Sequence, residues 1–471
     1  MLFNSYLFIL LFLPLCLLGY FLLNRTGRGL PGVLFLVGMS LWFYGSQNPA
    51  LLGLIGGSVA VNFLLHRLMG RFPKAGKPLL ILGIVLNLGC LVYFKYMDFF
   101  IGTLNTLLGT SLAFLEIALP LGISFFTFQQ LSFLIDSYHG KVESCSFPEY
   151  ACYVCFFAQL VAGPIVSHEE LIPQLRNPEQ KRPDPGNLSA GLWLFVIGLS
   201  KKVLLADFLG ILVNWGYENL TILTRWEALL TILGYTFQIY FDFSGYCDMA
   251  LGCARMLNLD LPLNFRTPYR AVTITEFWER WHMTLTRFFT RYVYIPLGGN
   301  RRGTLRTCGN VMVVFLVSGL WHGASWSFVL WGALHGVFSV ITRLCHGFRK
   351  VPKWLTALVT ALFLNVTWIL FRSESLPDTL LLLSRLKVPG FLGETLLTAV
   401  KEQLDLPLSV LPFFILGMYL LCGLLCLLPK CAAESLGDFK PTRGKALACA
   451  LLLALCLVSL SGVSTFLYFN F

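Results

Sequence analysis

Long apolar runs alternate with short polar connections along the whole chain. The first run, Met1 to Leu23, has no basic residue ahead of it and is followed by Arg25 and Arg28. A cleavable leader has the opposite charge order, so this run reads as a spanning helix whose C-terminal end lies in the cytoplasm. The next connections agree. The turn Gln47-Asn48-Pro49 lacks Lys and Arg, whereas His66 to Lys77 carries Arg67, Arg71, Lys74 and Lys77, the alternation that the positive-inside rule predicts. Further runs fall near 78–95, 119–135, 149–166, 189–213, 227–256, 308–320, 324–342, 354–371, 407–428 and 446–468. At ~20 residues per crossing the pattern predicts about ten to twelve spans, with shorter helices between them.

Pro120, Gly122, Gly163, Pro164, Lys201 and Lys202 interrupt several runs. At membrane depth such breaks survive only where protein or a water-filled cavity receives the freed backbone groups. The middle of the chain is therefore expected to line an interior site. No internal repeat or low-complexity segment is visible, which counts against an inverted-repeat transporter.

Composition removes whole classes of function. Of 471 residues, 56% are hydrophobic and 13% charged, with a mean hydropathy of +0.72. A soluble chain carries about 25% charged residues, so a soluble enzyme fold is excluded as the main body. The net charge of +11 comes from Lys and Arg between apolar runs, where they report topology rather than a nucleic-acid partner. The 14 Cys lie mostly in apolar stretches. Cys152 and Cys155 form a C-x-x-C without a second pair and read as inert buried thiols, with no disulfide framework implied.

Seven His occur: His66, His139, His168, His282, His322, His335 and His346. His282 lies in Thr273-Ile-Thr-Glu276-Phe-Trp-Glu-Arg280-Trp-His282. Thr273 and Glu276 have capping-box spacing, which predicts a helix start. Continued at helical period, this helix puts Glu276, Arg280, Arg287 and Arg291 on one face and Trp278, His282, Leu285 and Phe289 on an apolar stripe. Such a basic amphipathic helix suits a membrane interface, and His282 is open to a catalytic role or to an aromatic-belt role bonded to a carbonyl. His322 closes the run 308–320, which is too short to cross alone, between Gly319 and Gly323. An ionisable group at such a position is a functional candidate, and a neutral imidazole accepts a proton near neutral pH. His335, four residues after Trp331, reads as a core residue, and no His spacing offers a metal site.

Two further clusters carry polar chemistry. Gln238, Asp242, Ser244 and Asp248 fall inside one apolar run. Both carboxylates are expected to pair with Arg or with helix termini, as structural groups fixing a broken helix. Gly298-Gly-Asn300-Arg301-Arg302-Gly303 offers flexible backbone beside two guanidiniums. It suits phosphates of a cytoplasmic donor or an ordinary positive-inside loop.

Taken together, Glu276-Phe-Trp-Glu-Arg280-Trp-His282, Tyr294-Ile-Pro-Leu-Gly-Gly-Asn300-Arg301 and Gly319-Leu-Trp321-His322-Gly323 resemble the central signature of the membrane-bound O-acyltransferase family. Pro120-Leu-Gly-Ile-Ser-Phe-Phe-Thr-Phe-Gln129, Leu160-Val-Ala-Gly163-Pro164-Ile and Tyr240-Phe-Asp242-Phe-Ser244-Gly-Tyr246 resemble its bacterial polysaccharide, alginate-type branch. Similarity runs to about Arg372. Glu279 stands where the family commonly has Arg, and Cys247 where it often has Ser.

The resemblance implies an all-α polytopic fold, a ring of about 11 transmembrane helices around a thin central region with a cytoplasmic funnel. It implies one integral membrane domain, with N-terminal helices over 1–118, a catalytic core over 119–345 and C-terminal helices over 346–471. His322 matches the family's catalytic His and His282 its second signature His. Arg301, Arg302, Asn300 and Arg280 become candidates for donor contacts, and Trp321, Trp281, Asp242, Ser244 and Gln238 for the structural lining of a tunnel. The implied reaction moves an acetyl group from cytoplasmic acetyl-CoA, bound as a substrate with no permanent cofactor. The acetyl passes across a bacterial inner membrane toward an extracellular or cell-wall polysaccharide, through an extracytoplasmic SGNH-type partner. The rivals are a teichoic-acid D-alanyl transferase fed by an acyl-carrier protein, a lipid-directed acyltransferase, and a non-enzymatic flippase or channel.

Overall fold

The computed structural model describes residues 1–25, 29–345, 351–460 and 466–467; Arg28 and His346 lie outside them. Every regular element of the described residues is a helix, and their β-type pairing is a single isolated bridge between Phe265 and Trp281. Among the described residues, five helices are long and apolar enough to cross a membrane: Leu51–Arg71, Pro73–Leu108, Thr304–His322, Trp326–Leu344 and Lys353–Arg372. Phe8–Asn24, Leu30–Gly45 and Leu411–Cys426 are shorter apolar helices. Leu64, Val85, Leu362 and Phe413 stay exposed, as outward side chains do when the surrounding solvent is lipid. The chain is a multi-pass membrane protein.

The polypeptide divides into two compact units. The first is built from Met1–Gly198, Tyr246–Leu263 and Leu436–Asn470, the second from Leu199–Gly245 and Asn264–Ser435.

In the first unit, Phe8 is fully buried and stacks on Phe12 at 5.2 Å and on Phe195 at 6.1 Å. A polar stripe runs up the helix Leu51–Arg71 at four-residue spacing. Ser58 accepts from Gln130 (2.9 Å), Asn62 pairs with Asn87 through amide bonds of 2.6 and 3.3 Å, and His66 Nδ1 meets Ser137 Oγ at 2.9 Å. Side-chain hydrogen bonds of this kind join helices where apolar contact gains nothing over lipid. The apolar run 149–166 is not one helix. It is helical over Phe147–Cys155 and irregular beyond. The freed groups are received by protein, since Phe157 N–H donates to Ser40 Oγ and Gln159 Nε2 to the Tyr153 carbonyl.

In the second unit, Thr304–His322 and Trp326–Leu344 form an antiparallel pair. A Cβ on Gly319 would lie 2.3 Å from the Phe328 carbonyl oxygen, and one on Gly332 2.4 Å from that of Phe315. Only glycine permits this approach. Lys353–Arg372 returns alongside, with Phe363 stacked on Phe338 at 4.2 Å and Trp368 on Trp331 at 6.3 Å. The run ending at His322 is longer than its apolar stretch suggests, because the helix reaches back to Thr304 and spans 19 residues.

The polar cluster at 238–248 departs from expectation. The helix carrying it, Arg225–Met256, is continuous over 32 residues. The irregularity lies in its neighbour, where Lys201–Ala206 forms a π-turn. Lys202 Nζ sits 2.7 Å from Asp242 Oδ1 and 2.9 Å from Asp207 Oδ1. Asp242 is thus neutralised by a lysine instead of an arginine, and it anchors the π-turn. Asp248 is buried in the first unit.

Candidate active site

The segment around His282 begins as its sequence predicts and then breaks. Thr273 caps the helix Ile274–Arg280 by accepting from Glu276 N–H. The expected amphipathic helix stops there. Trp281 is extended, His282 is left-handed at φ 48°, ψ 48°, and a new helix runs over Met283–Phe289. Two backbone bonds hold the break open: Arg266 N–H donates to the Arg280 carbonyl and Met283 N–H to that of Asn264. A non-glycine residue in this conformation costs about 1–3 kcal/mol and marks a functional position when the surroundings enforce it.

The break also divides the predicted faces. Trp278 turns to His335 (5.1 Å) and Trp331 (5.7 Å), whereas His282 packs edge-on against Phe243 (4.9 Å). Glu276 and Arg280 pair at 2.7 Å, but Arg287 belongs to the second helix.

The buried hydrogen bonds define the ring tautomers. Asn264 Oδ1 accepts from Thr284 N–H (3.3 Å) and Thr284 Oγ (2.9 Å) and lies 3.1 Å from His282 Nδ1. A backbone N–H only donates, so this amide atom is oxygen and His282 Nδ1 carries the proton. The lone pair of the neutral ring is therefore on Nε2. Burial, with His322 nearby, holds the His282 imidazole well below its usual pKa and keeps it neutral. His322 reaches the same state by another route. Its Nδ1 lies 2.6 Å from the Ser318 carbonyl oxygen. That oxygen only accepts, so Nδ1 is the donor and Nε2 the basic nitrogen.

The two rings stand 6.4 Å apart, centroid to centroid, and both are buried. Trp321 lies 5.9 Å from His282 and 4.9 Å from His322, and Trp331 and Phe371 close on His322 at 5.1 and 5.4 Å. The result is two imidazoles, each with Nδ1 facing an acceptor, in a buried aromatic enclosure, a setting that strengthens proton transfer and charge interactions.

The other candidates distribute unevenly. Trp281 packs on Phe277 and Trp368. Asp242 is bound to Lys202, Ser244 lies 3.5 Å from Lys201 Nζ, and Gln238 is buried against Gly210. Arg280 is engaged by Glu276 and lies 3.4 Å from Thr267 Oγ. Asn300, Arg301 and Arg302 are exposed in the turn before Thr304. That turn is fixed by Asn310 Nδ2 donating to the Gly299 carbonyl at 2.9 Å. His322 ends the helix that Thr304 begins, so about 27 Å of helix separates the guanidiniums from the imidazole. The fold brings His282, His322 and Trp321 together and keeps Arg301 and Arg302 apart from them.

His335 is a core residue. Trp278 Nε1–H donates to its Nδ1 at 3.2 Å, and its Nε2 lies 3.1 Å from Thr367 Oγ. Asn264, Thr284, Phe243 and Phe371 escaped the sequence reading. No spacing rule marks them, because each reaches its histidine only through the fold.

Sequence comparison assigns the chain. The family model for the membrane-bound O-acyltransferase family matches residues 79–373. The peptidoglycan O-acetyltransferase of Helicobacter pylori is 38% identical, over 100% of this chain and 98% of its own length. A Pseudomonas putida protein described as "Probable alginate O-acetylase AlgI" is 36% identical over 80% of this chain and 78% of its own. The teichoic acid D-alanyltransferase of Bacillus subtilis is 26% identical over 50% of this chain and 62% of its own. With the paired histidines inside the matched region, the chain belongs to the membrane-bound O-acyltransferase family.

Proposed function

We propose that this O-acyltransferase takes the acetyl group of acetyl-CoA from the cytoplasm and delivers it outward for O-acetylation of an extracellular or cell-wall polysaccharide. The observation that carries the reading is the histidine pair, 6.4 Å apart, with each Nδ1 committed to an acceptor. His322 Nε2 takes the proton of an acceptor hydroxyl as its oxygen attacks the thioester carbonyl. The tetrahedral intermediate collapses, and the proton passes from His322 to the departing thiolate. His282, with its lone pair on Nε2, orients the acceptor hydroxyl. A neutral ring of this tautomer has no proton on Nε2 to polarise a carbonyl, so positioning is the better-supported role.

Topology supports the direction of transfer. The end of the hairpin at Thr304 and Leu344 carries Arg301, Arg302, Arg306, Arg343 and Lys353, whereas Glu374 and Asp378 follow Arg372 at the His322 end. By the positive-inside rule the first end faces the cytoplasm, as an inner-membrane protein with a cytoplasmic donor funnel within a ring of about eleven spans requires. Arg301 and Arg302 then capture donor phosphates at the entrance, and the donor must extend to reach His322. An SGNH-type partner on the outer side would take the acetyl to the polysaccharide.

Replacing His322 by Ala should lower thiol release from acetyl-CoA and acetate incorporation by about 10²–10⁴-fold. Unchanged turnover in a correctly inserted variant removes His322 from the mechanism. The D-alanyl reading has the B. subtilis relative in its favour, at lower identity and coverage. Turnover with a loaded acyl-carrier protein, and none with acetyl-CoA, would establish it instead.

A further inference from the structure

The first unit holds a second cluster of chemically able side chains, hidden from any spacing rule because Asp136 lies 32 residues before the adjacent His168 and Glu169. Asp136 stands near the end of helix Ile123–Tyr138, and His168 and Glu169 open helix His168–Arg176. One ligand atom from each lies within 4.8 Å of the other two. Asp136 and His168 are 1% and 5% exposed, and Glu169 is exposed, so the group is open on one side only.

The separation between His168 Nε2 and Asp136 Oδ2 is informative. At 3.4 Å it is a long hydrogen bond, beyond the most populated N–H···O span of about 2.7–3.2 Å. Two donors bound to one tetrahedral ion at about 2.0–2.1 Å stand about 3.4 Å from each other. Lys141 Nζ is 3.9 Å from the other carboxylate oxygen, Oδ1, and its side chain is 54% exposed. It therefore supplies only a screened charge to a buried carboxylate.

We propose that Asp136, His168 and Glu169 form a binding site for a divalent transition-metal ion of the zinc class. One imidazole and two carboxylates suit zinc and its neighbours better than magnesium or calcium, which prefer all-oxygen shells. Two carboxylates balance the ion's charge. A fourth position remains for water on the Glu169 side. The ion ties the end of one helix to the start of another across the connection 139–167.

The test uses the full-length protein in detergent, stripped with a chelator and titrated with zinc chloride. Calorimetry and metal content after desalting should give one zinc per chain, with a raised melting temperature, and magnesium chloride at the same concentration should give no shift. Glu169→Gln, an isosteric change at the surface, should weaken zinc binding by about tenfold or more, and His168→Gln should abolish retention. A stripped protein that takes up no zinc overturns the proposal. So does zinc uptake of equal affinity in Glu169→Gln and wild type, which would place the ion elsewhere, for instance on thiols.

Discussion

His282 and His322 reach nearly the same chemical state by opposite means. His322 ends a regular 19-residue helix, and its tautomer is set by the carbonyl of Ser318 one turn back in that same helix. His282 sits in a left-handed kink between two seven-residue helices, and its tautomer is set by the side chain of Asn264, 18 residues away. One imidazole is held by backbone that the helix supplies in any case. The other is held by a side chain that must itself be oriented by Thr284. The first arrangement is robust to side-chain change, whereas the second is fragile and stores local strain.

This contrast makes Asn264 the most sensitive position outside the histidines. Asn264→Leu removes the side-chain oxygen that faces His282 Nδ1 and accepts from Thr284 N–H. His282 is then free to adopt either tautomer and to leave the kink. Acyl transfer should fall by about 10–100-fold, mostly in kcat, with thermal stability lowered as well. Asn264→Asp keeps an acceptor and should recover part of the loss. Equal activity in Asn264→Leu and wild type would mean that the His282 tautomer is irrelevant to turnover.

The same contrast explains what could be read from the chain. The cap at Thr273 and the Glu276–Arg280 pair rest on contacts within four residues, and each was visible as a local pattern, whereas the helix ending at His322 was visible only over its apolar part and not back to Thr304. The break after Arg280 was not visible. Left-handed backbone ordinarily belongs to Gly or Asn, and nothing about Trp281-His282 announces it. Pairings across the fold were equally hidden. Lys202 and Asp242 are 40 residues apart, and Asp136 and His168 are 32 apart. Periodicity identifies which face of a helix is apolar, but the partner of a buried charge depends on how helices are juxtaposed.

Arg301 and Arg302 test whether the approach to the site is separable from its chemistry. Because a full helix lies between them and His322, their loss should act on capture alone. Arg301→Gln with Arg302→Gln should raise the KM for acetyl-CoA by about tenfold at low ionic strength with little change in kcat. The difference should shrink at high salt, as expected for exposed charges. A large fall in kcat, or a KM effect insensitive to salt, would show that the guanidiniums act at the thioester and that the donor folds back along the helix.

The smallest effect belongs to Ser318, and it is the sharpest discriminator between the two modes of support. The atom that receives His322 Nδ1–H is the Ser318 carbonyl oxygen, which survives any substitution that keeps the helix. Ser318→Ala retains helical propensity, removes one small buried hydroxyl and leaves the acceptor in place. Acyl transfer should stay within about twofold of wild type, far from the loss expected for Asn264→Leu, with the same pH profile. Ser318→Pro is the opposing control. The ring clashes with the preceding turn and displaces the carbonyl, so activity should collapse although the same hydroxyl is lost. If Ser318→Ala proved as damaging as Asn264→Leu, the hydroxyl would be the controlling group, and His322 would depend on a side chain just as His282 does.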